Sequence, residues 1–151
     1  SSAVGEVNVV KKMKENNAII GGEGNGGIIY PELHYGRDAL VGIALFLTQI
    51  ASMDISASCL RDSYPRYFIS KNKIDLQEGL NIDDIFSSLI NKYKANKITT
   101  IDGLKIDFEN EWVHFRKSNT EPIIRIYAES INQDAANKLA NEMIREIKKL
   151  L

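Results

Sequence analysis

The dipeptide Asp102-Gly103, set between two short apolar runs, is the feature that most constrains the fold of this chain. Asp-Gly is a strong signal for a two-residue β-hairpin turn, because glycine readily adopts the positive φ that such turns require. After the turn, apolar and charged residues alternate from Leu104 to Glu109, which is typical of a strand with one face in solvent. The pattern therefore predicts an antiparallel hairpin made of residues 98–101 and 104–108.

Elements on both sides of this hairpin extend the prediction to an α+β domain. Amphipathic helices are expected at residues 81–93, capped by Asn81, and after Asn132 or Asp134. Short apolar runs predict further strand segments, at residues 67–69, 74–76, 112–116 and 123–128. Residues from about 55 onward are expected to form a four-stranded antiparallel sheet with helices packed on it.

The residues before 55 do not add up to a domain by themselves. Periodicity predicts a helix at residues 4–14, with Val7, Val10 and Met13 on its apolar face. A long uncharged stretch predicts a buried helix from about Arg37-Asp38 to Met53. Only one or two short strands surround a glycine cluster, and they lack partners for a sheet. We interpret this part as the truncated end of a larger α/β domain.

Charge and cysteine content narrow the class of protein. The formal net charge is −1 and no basic stripe with interleaved aromatic residues occurs, so no nucleic-acid partner is expected. The longest uncharged stretch is shorter than the roughly 20 residues of a membrane helix, so no membrane partner is expected. The single cysteine, Cys59, is compatible with the cytoplasm, where we expect the protein. Asp83-Asp84 belongs to a helix start, so no metal site is predicted.

A loop between two predicted strands, residues 116–122, has the composition of a phosphate site. Arginine forks match phosphate oxygens, and hydroxyls and backbone amides satisfy the remaining acceptors. The same sequence is also compatible with a polar β-turn whose arginines are solvated. The candidate phosphate-binding residues are Arg116, Ser118, Asn119, Thr120 and Arg125.

The glycine cluster at residues 21–27 is the second candidate site. Its spacing weakly matches a dinucleotide fingerprint, but no helix follows at once and the carboxylate of Glu23 would repel a pyrophosphate. Glu23 and Asn25 are better suited to neutral hydroxyls, since a carboxylate accepts hydrogen bonds and an amide both donates and accepts them. A glycine-rich hairpin without a binding role remains the alternative.

Together the two loops resemble those of the α-D-phosphohexomutase superfamily, which includes phosphoglucomutase, phosphomannomutase and phosphoglucosamine mutase. Residues 2–6 are similar to the family's segment entering the last helix of its third domain. Residues 22–27 are similar to its sugar-recognition loop, and residues 116–122 with Arg125 to the phosphate loop of its fourth domain. Many members have serine at the position of Asn25 and histidine at that of Gly27, so a histidine contribution is absent from this loop.

The resemblance implies that residues 1–54 are the C-terminal part of the third domain and residues 55–151 the fourth. It further implies an isomerase that interconverts hexose 1-phosphate and hexose 6-phosphate through a phosphoserine and a bisphosphate intermediate. The serine and the Mg²⁺-binding acidic loop would belong to the remaining domains of the same enzyme, which leaves this chain without catalytic residues and inactive alone. The alternatives are an α+β module that binds RNA or a regulatory ligand, and a nucleotide-binding domain that uses the glycine cluster.

Overall fold

A computed structural model describes residues 1–76, 81–118 and 120–150. The chain divides into two compact units, Ser1–Pro65 and Arg66–Leu151. This division falls after Pro65, whereas the sequence-based boundary follows residue 54. The short helix at residues 57–63 therefore belongs with the first unit.

The first unit combines three helices with a small antiparallel sheet of order β1-β2-β3. Its elements are α1 (Glu6–Asn16), β1 (Gly21–Gly22), β2 (Ile28–Tyr30), β3 (His34–Arg37), α2 (Ala39–Met53) and α3 (Ala57–Ser63). The prediction of one or two strands that lack partners is wrong, because β3 pairs with β2. The four residues of β3 include Gly36 and show no apolar alternation, so no sequence pattern marked them as a strand.

The apolar face of α1 differs from the predicted one. Val9 and Met13 are buried and pack with Ile29 of β2. Val7 is 81% exposed, so its assignment to the buried face is wrong. Met13 lies on the buried face as predicted, and Val10 is partly buried against the cluster.

Helix α2 begins as expected but is not buried. The carboxylate of Asp38 accepts a hydrogen bond from the Val41 N–H at 3.0 Å, which caps the first turn. No residue of α2 is buried, and Leu40 is 79% exposed. The prediction of a buried helix is therefore wrong, because apolar composition shows what a helix can bury and not that a partner is present. Among the described residues no single helix can span a membrane; α2 and α3 reach that length and composition together, bent by 89°.

The second unit is an antiparallel sheet of order β4-β8-β7-β6-β5 with two helices. Its elements are β4 (Phe68–Asp75), α4 (Ile82–Lys92), β5 (Lys97–Thr99), β6 (Leu104–Asp107), β7 (Trp112–Lys117), β8 (Ile123–Ser130) and α5 (Gln133–Lys148). The α+β class is confirmed, but the sheet has five strands instead of four. The two predicted segments at 67–69 and 74–76 are one continuous strand, and the predicted strand at 98–101 is the edge strand β5, which ends at Thr99.

One face of this sheet forms the core, and α4 and α5 cover it. Asn81 and Asn132 cap these helices as predicted, each accepting a hydrogen bond from a backbone N–H. Phe115, Leu104 and Ile126 are fully buried on this face. Strand residues alternate with them along the chain and point to the opposite, wetter face. Arg116 and Arg125 belong to that opposite face.

Candidate functional site

The turn between β7 and β8 brings the two predicted arginines together. Arg116 and Arg125 are directly opposite each other in the antiparallel ladder. Side chains in such a pair are close neighbours, and two like charges in this position repel each other. An anion between the guanidinium groups would relieve the repulsion, so the register itself favours an anion site.

Two hydroxyls lie in the same turn. The Ser118 side chain is buried, and its backbone N–H donates to the Ile123 carbonyl at 3.0 Å. The Ser118 hydroxyl is 3.4 Å from both the Thr120 hydroxyl and the Thr120 N–H. These contacts are long, so both hydroxyls keep capacity for a stronger acceptor. Asn119, the fifth predicted phosphate-binding residue, lies outside the described residues.

Each arginine also has a carboxylate neighbour. The Arg116 Nε lies 3.3 Å from the Asp102 Oδ2, and an Arg125 Nη lies 3.8 Å from the Glu121 Oε2. A guanidinium has five N–H donors, so one carboxylate does not exhaust its capacity. The arginines are therefore oriented but not neutralised as ligands for an anion.

Two further residues at this site were missed in the sequence. Lys73 of β4 is directly opposite Arg125, and both line an open cavity of about 310 Å³. Asp102 was recognised only as a turn residue, whereas its carboxylate contacts Arg116. Strand register decides both placements, and no local pattern in one sequence reveals which residues of distant strands face each other.

The predicted sugar loop is a tight turn between β1 and β2. The Glu23 N–H donates to the Gly27 carbonyl at 3.1 Å, and the Gly26 N–H donates to the Glu23 carbonyl at 3.0 Å. A Cβ on Gly22 would lie 2.3 Å from the Gly27 oxygen, so only glycine fits that position. Gly26 has a φ of 93°, which also favours glycine.

The two polar side chains of this loop have distinct partners. The Glu23 Oε1 accepts a hydrogen bond from the Gly5 N–H at 2.9 Å, which joins the loop to the start of α1. The Asn25 Oδ1 accepts from the Gly27 N–H at 3.0 Å, so its amide NH₂ remains the group that can donate. Both oxygens are held in defined positions by the backbone.

An open cavity of about 700 Å³ lies beside this loop. Asn25, Gly26 and Gly27 line it, together with Glu6 and Arg37. The Arg37 Nε donates to the Glu6 Oε2 at 2.7 Å, a pair that sequence reasoning did not identify. Glu23 does not line this cavity. The loop therefore presents Asn25 to the cavity and Glu23 to the start of α1.

The ring of His34, which follows this loop in sequence, is held by local contacts. Its Nε2 is 3.2 Å from the Asp38 Oδ2, and its Nδ1 accepts from the Gly36 N–H at 3.0 Å. The Val41 N–H is the main cause that lowers the pKa of Asp38, with a smaller contribution from His34. Across the described ranges, no three His, Cys, Asp or Glu side chains come together as a metal site would require.

Comparison with known proteins agrees with the two units. Residues 1–67 match the third domain, described as alpha/beta/alpha, of phosphoglucomutase/phosphomannomutase, and residues 73–146 match the C-terminal domain of the same enzymes. This chain belongs to the phosphoglucomutase/phosphomannomutase family.

Individual relatives of this family member agree with that assignment. A phosphoglucosamine/phosphogalactosamine mutase of Sulfurisphaera tokodaii is 41% identical over 142 residues, which are 93% of this chain and 31% of the relative. A phosphoglucomutase/phosphomannomutase of Thermococcus kodakarensis is 36% identical over 135 residues, 89% of this chain and 30% of the relative. The chain thus spans about a third of the length of these relatives.

A solved structure shows the same fold. A phosphoglucomutase/phosphomannomutase family protein of Burkholderia thailandensis superposes with a TM-score of 0.70 at 24% identity. The match covers 98% of this chain and 32% of that protein. The predicted resemblance to the C-terminal portion of the phosphohexomutases is confirmed.

Proposed function

We propose that the complete protein is a phosphohexomutase, and that this segment supplies its phosphate-binding and sugar-binding loops. The observation that carries the proposal is the direct opposition of Arg116 and Arg125 beside two hydroxyls in one turn. A divalent oxyanion is the ligand that offsets two opposed guanidinium charges and accepts from both hydroxyls. Arg116, Ser118, Asn119, Thr120 and Arg125 form the proposed phosphate site.

In the proposed role, the turn holds the phosphate that is not being transferred. A phosphohexomutase must accept its substrate with the phosphate at either end of the sugar. A rigid anion site anchored in a sheet can hold the non-reacting phosphate in both cases, so the opposite end faces the reacting group. The contribution of this chain is then positioning of the substrate, which accelerates a reaction without a catalytic side chain.

The glycine loop is the proposed site for sugar hydroxyls. The Glu23 carboxylate accepts hydrogen bonds from hydroxyls, and the Asn25 NH₂ donates to them. The backbone contacts to Gly5 and Gly27 fix one oxygen of each side chain before a sugar binds. Each contact restricts its side chain relative to the loop, which lowers the side-chain part of the conformational cost of binding.

The remaining chemistry is proposed to belong to the domains that this chain does not span. A phosphoserine would donate and regain the phosphoryl group, and Mg²⁺ would offset its charge in the transition state. The described side chains do not fit a metal ion, so we assign no residue of this chain to Mg²⁺. Residence in the cytoplasm likewise stays a prediction.

The test compares the complete protein with this chain. The complete protein should convert hexose 1-phosphate to hexose 6-phosphate, with glucose and glucosamine phosphates as the first substrates. This chain alone should bind these phosphates but show no turnover, even with Mg²⁺ and a sugar bisphosphate. Turnover by this chain above that of an Arg116→Ala control would contradict the proposal.

A titration separates this proposal from the alternatives. Glucose 1-phosphate, glucosamine 6-phosphate, ATP and a short RNA are added in turn to this chain, and backbone amide NMR shifts are recorded. The proposal expects saturable shifts at residues 116–125 with the hexose phosphates. Shifts with RNA or ATP alone would support a binding module or a nucleotide site instead.

A further inference from the structure

The turn between β5 and β6 lies beside the proposed phosphate site and contains a carboxylate with no assigned role. Asp102 and Gly103 are the last two residues of this turn, which spans residues 100–103, and Gly103 has a φ of 77°. A Cβ on Gly103 would lie 2.2 Å from the Phe115 oxygen, so the turn fits tightly against β7. This close approach brings the Asp102 Oδ2 to 3.3 Å from the Arg116 Nε.

A second contact fixes the same turn from its backbone. The His114 Nε2 makes a hydrogen bond to the Asp102 carbonyl. His114 and Arg116 are on the same face of β7, since they are two residues apart in one strand. Asp102 is thus held by one β7 side chain through its main chain and contacts another through its carboxylate.

The Arg116–Asp102 contact is partly shielded from water. The side chains are 33% and 24% exposed, compared with 42% and 54% for Arg125 and Glu121. The Arg116–Asp102 distance is also shorter, 3.3 Å compared with 3.8 Å between Arg125 and Glu121. Arg116 is therefore the more firmly held of the two opposed arginines.

We propose that Asp102 is a positioning residue, which engages the Nε edge of Arg116 so that the terminal nitrogens remain directed for bidentate binding of phosphate. The inference rests on the proposed phosphate site. A planar guanidinium that is fixed at one edge presents its other donors in a defined plane, which lowers the conformational cost of binding an anion.

Asp102→Asn provides a test in which two explanations predict opposite changes in phosphate affinity. If Asp102 acted only through its negative charge, its removal would tighten phosphate binding. Positioning predicts weaker binding, by about three- to tenfold, because the Arg116 side chain would then have to be immobilised by the phosphate itself. Gly103, which has the positive φ, is unchanged in this variant, and the His114 contact is to the main chain, so the variant should fold.

The experiment uses this chain and inorganic phosphate, with the dissociation constant obtained from NMR shifts. Asp107→Asn is the matched control, since Asp107 lies on the same strand face but pairs with Trp112 at the far end of β7. The Nε–H signal of Arg116 should move in Asp102→Asn and stay in Asp107→Asn. Phosphate affinity should fall only in Asp102→Asn.

A second background distinguishes positioning from a folding role. Arg116→Lys keeps the charge but has no Nε donor, so Asp102→Asn should cause no further weakening there. The same loss of affinity in both backgrounds would overturn the inference, as would unchanged or tighter binding by Asp102→Asn alone. If wild-type chain shows no saturable phosphate binding, the proposed phosphate site fails, and the inference fails with it.

Discussion

The two units differ in how their loops are supported. In the second unit, α4, α5 and four strands bury a continuous cluster that includes Phe115, one residue before Arg116. In the first unit, the buried cluster is Val9, Met13 and Ile29, and the apolar helix α2 has no buried residue. The phosphate loop, residues 116–122, therefore joins two strands of a well-packed sheet. The glycine loop, residues 22–27, is supported only by a small buried cluster.

This contrast indicates which part of ligand recognition the chain can perform alone. Arg116 and Arg125 are placed by a strand ladder above a packed core before the ligand arrives. The glycine loop is held mainly by local hydrogen bonds. Segments with few buried apolar contacts open locally at a low free-energy cost. We expect the first unit to lose more order between ligands than the second.

Hydrogen exchange gives the largest expected difference between the units. Amides of β8, which pairs on both sides with β4 and β7, should open only by global unfolding of their unit. Amides of α2 should open locally, so they should exchange faster by roughly a thousandfold or more. Exchange mass spectrometry on this chain measures the ratio. Comparable protection of α2 and β8 would contradict the inferred difference in local stability between the two units.

A matched pair of leucine substitutions sharpens the same contrast. Leu104 is fully buried in the second unit, and Leu40 is 79% exposed in the first. Leu104→Ala should lower the free energy of unfolding by about 2–5 kcal/mol because it leaves a cavity. Leu40→Ala should change it by only about 0.5 kcal/mol or less. Urea denaturation measures both; similar costs would mean that Leu40 has a partner.

The sequence allowed much of the second unit to be predicted, because its elements carry their own signals. Asn81 and Asn132 cap helices whose apolar stripes have a clear period. Strands β5 and β6 do form the predicted antiparallel hairpin, but residues 100–103 connect them instead of Asp102-Gly103 alone, so the two-residue turn is wrong. The first unit was harder, since the burial of α2 depends on partners that its own residues do not encode. The prediction that Val7 is buried is wrong for a related reason. Helix α1 has apolar residues on several sides, and a small cluster buries only one of them.

The residue types of the site could be predicted from the sequence, but the strand register that brings them together could not. Arginines and hydroxyls in one turn indicated an anion site, and the ladder then placed Arg116 opposite Arg125. The roles of Lys73 and Asp102 depend on which strands become neighbours. That order is a property of the whole sheet, and local patterns do not contain it.

Removal of Arg125 tests whether phosphate recognition belongs to the second unit alone. Hydrogen bonds to charged groups contribute about 1.5–3 kcal/mol each, so Arg125→Ala should raise the dissociation constant for inorganic phosphate by roughly 10- to 150-fold. Calorimetry or NMR titration of this chain measures it. Arg145→Ala, an exposed arginine on α5, is the matched control and should bind as wild type. Equal loss in both variants would indicate nonspecific charge attraction.

Glu23→Gln should show the complementary behaviour for the first unit. The change keeps the side-chain shape but replaces one acceptor oxygen with a donor. Affinity for inorganic phosphate should stay unchanged, while affinity for a hexose phosphate should fall by about the value of one hydrogen bond, 0.5–1.5 kcal/mol. The same titrations measure both constants. An equal loss for the two ligands would point to a folding defect and remove Glu23 from the sugar site.

The smallest expected effect concerns acid stability of the second unit. Glu146 of α5 pairs with Lys92 of α4 and lies 3.3 Å from the Lys149 Nζ. The hydrogen bond from Lys92 is the main cause that lowers the pKa of Glu146, followed by that from Lys149. A carboxyl with a lowered pKa stabilises the folded state above its ordinary pKa, about 4.3, and loses this contribution as pH falls through the lowered value.

Glu146→Gln should therefore flatten the fall in unfolding free energy below about pH 4.3, measured by urea denaturation at several pH values. Glu142→Gln on the same helix should keep the wild-type slope. Because the pair is on the surface, the difference should shrink with added salt. A wild-type slope in Glu146→Gln at low salt would show that the link between α4 and α5 rests on their apolar contacts alone.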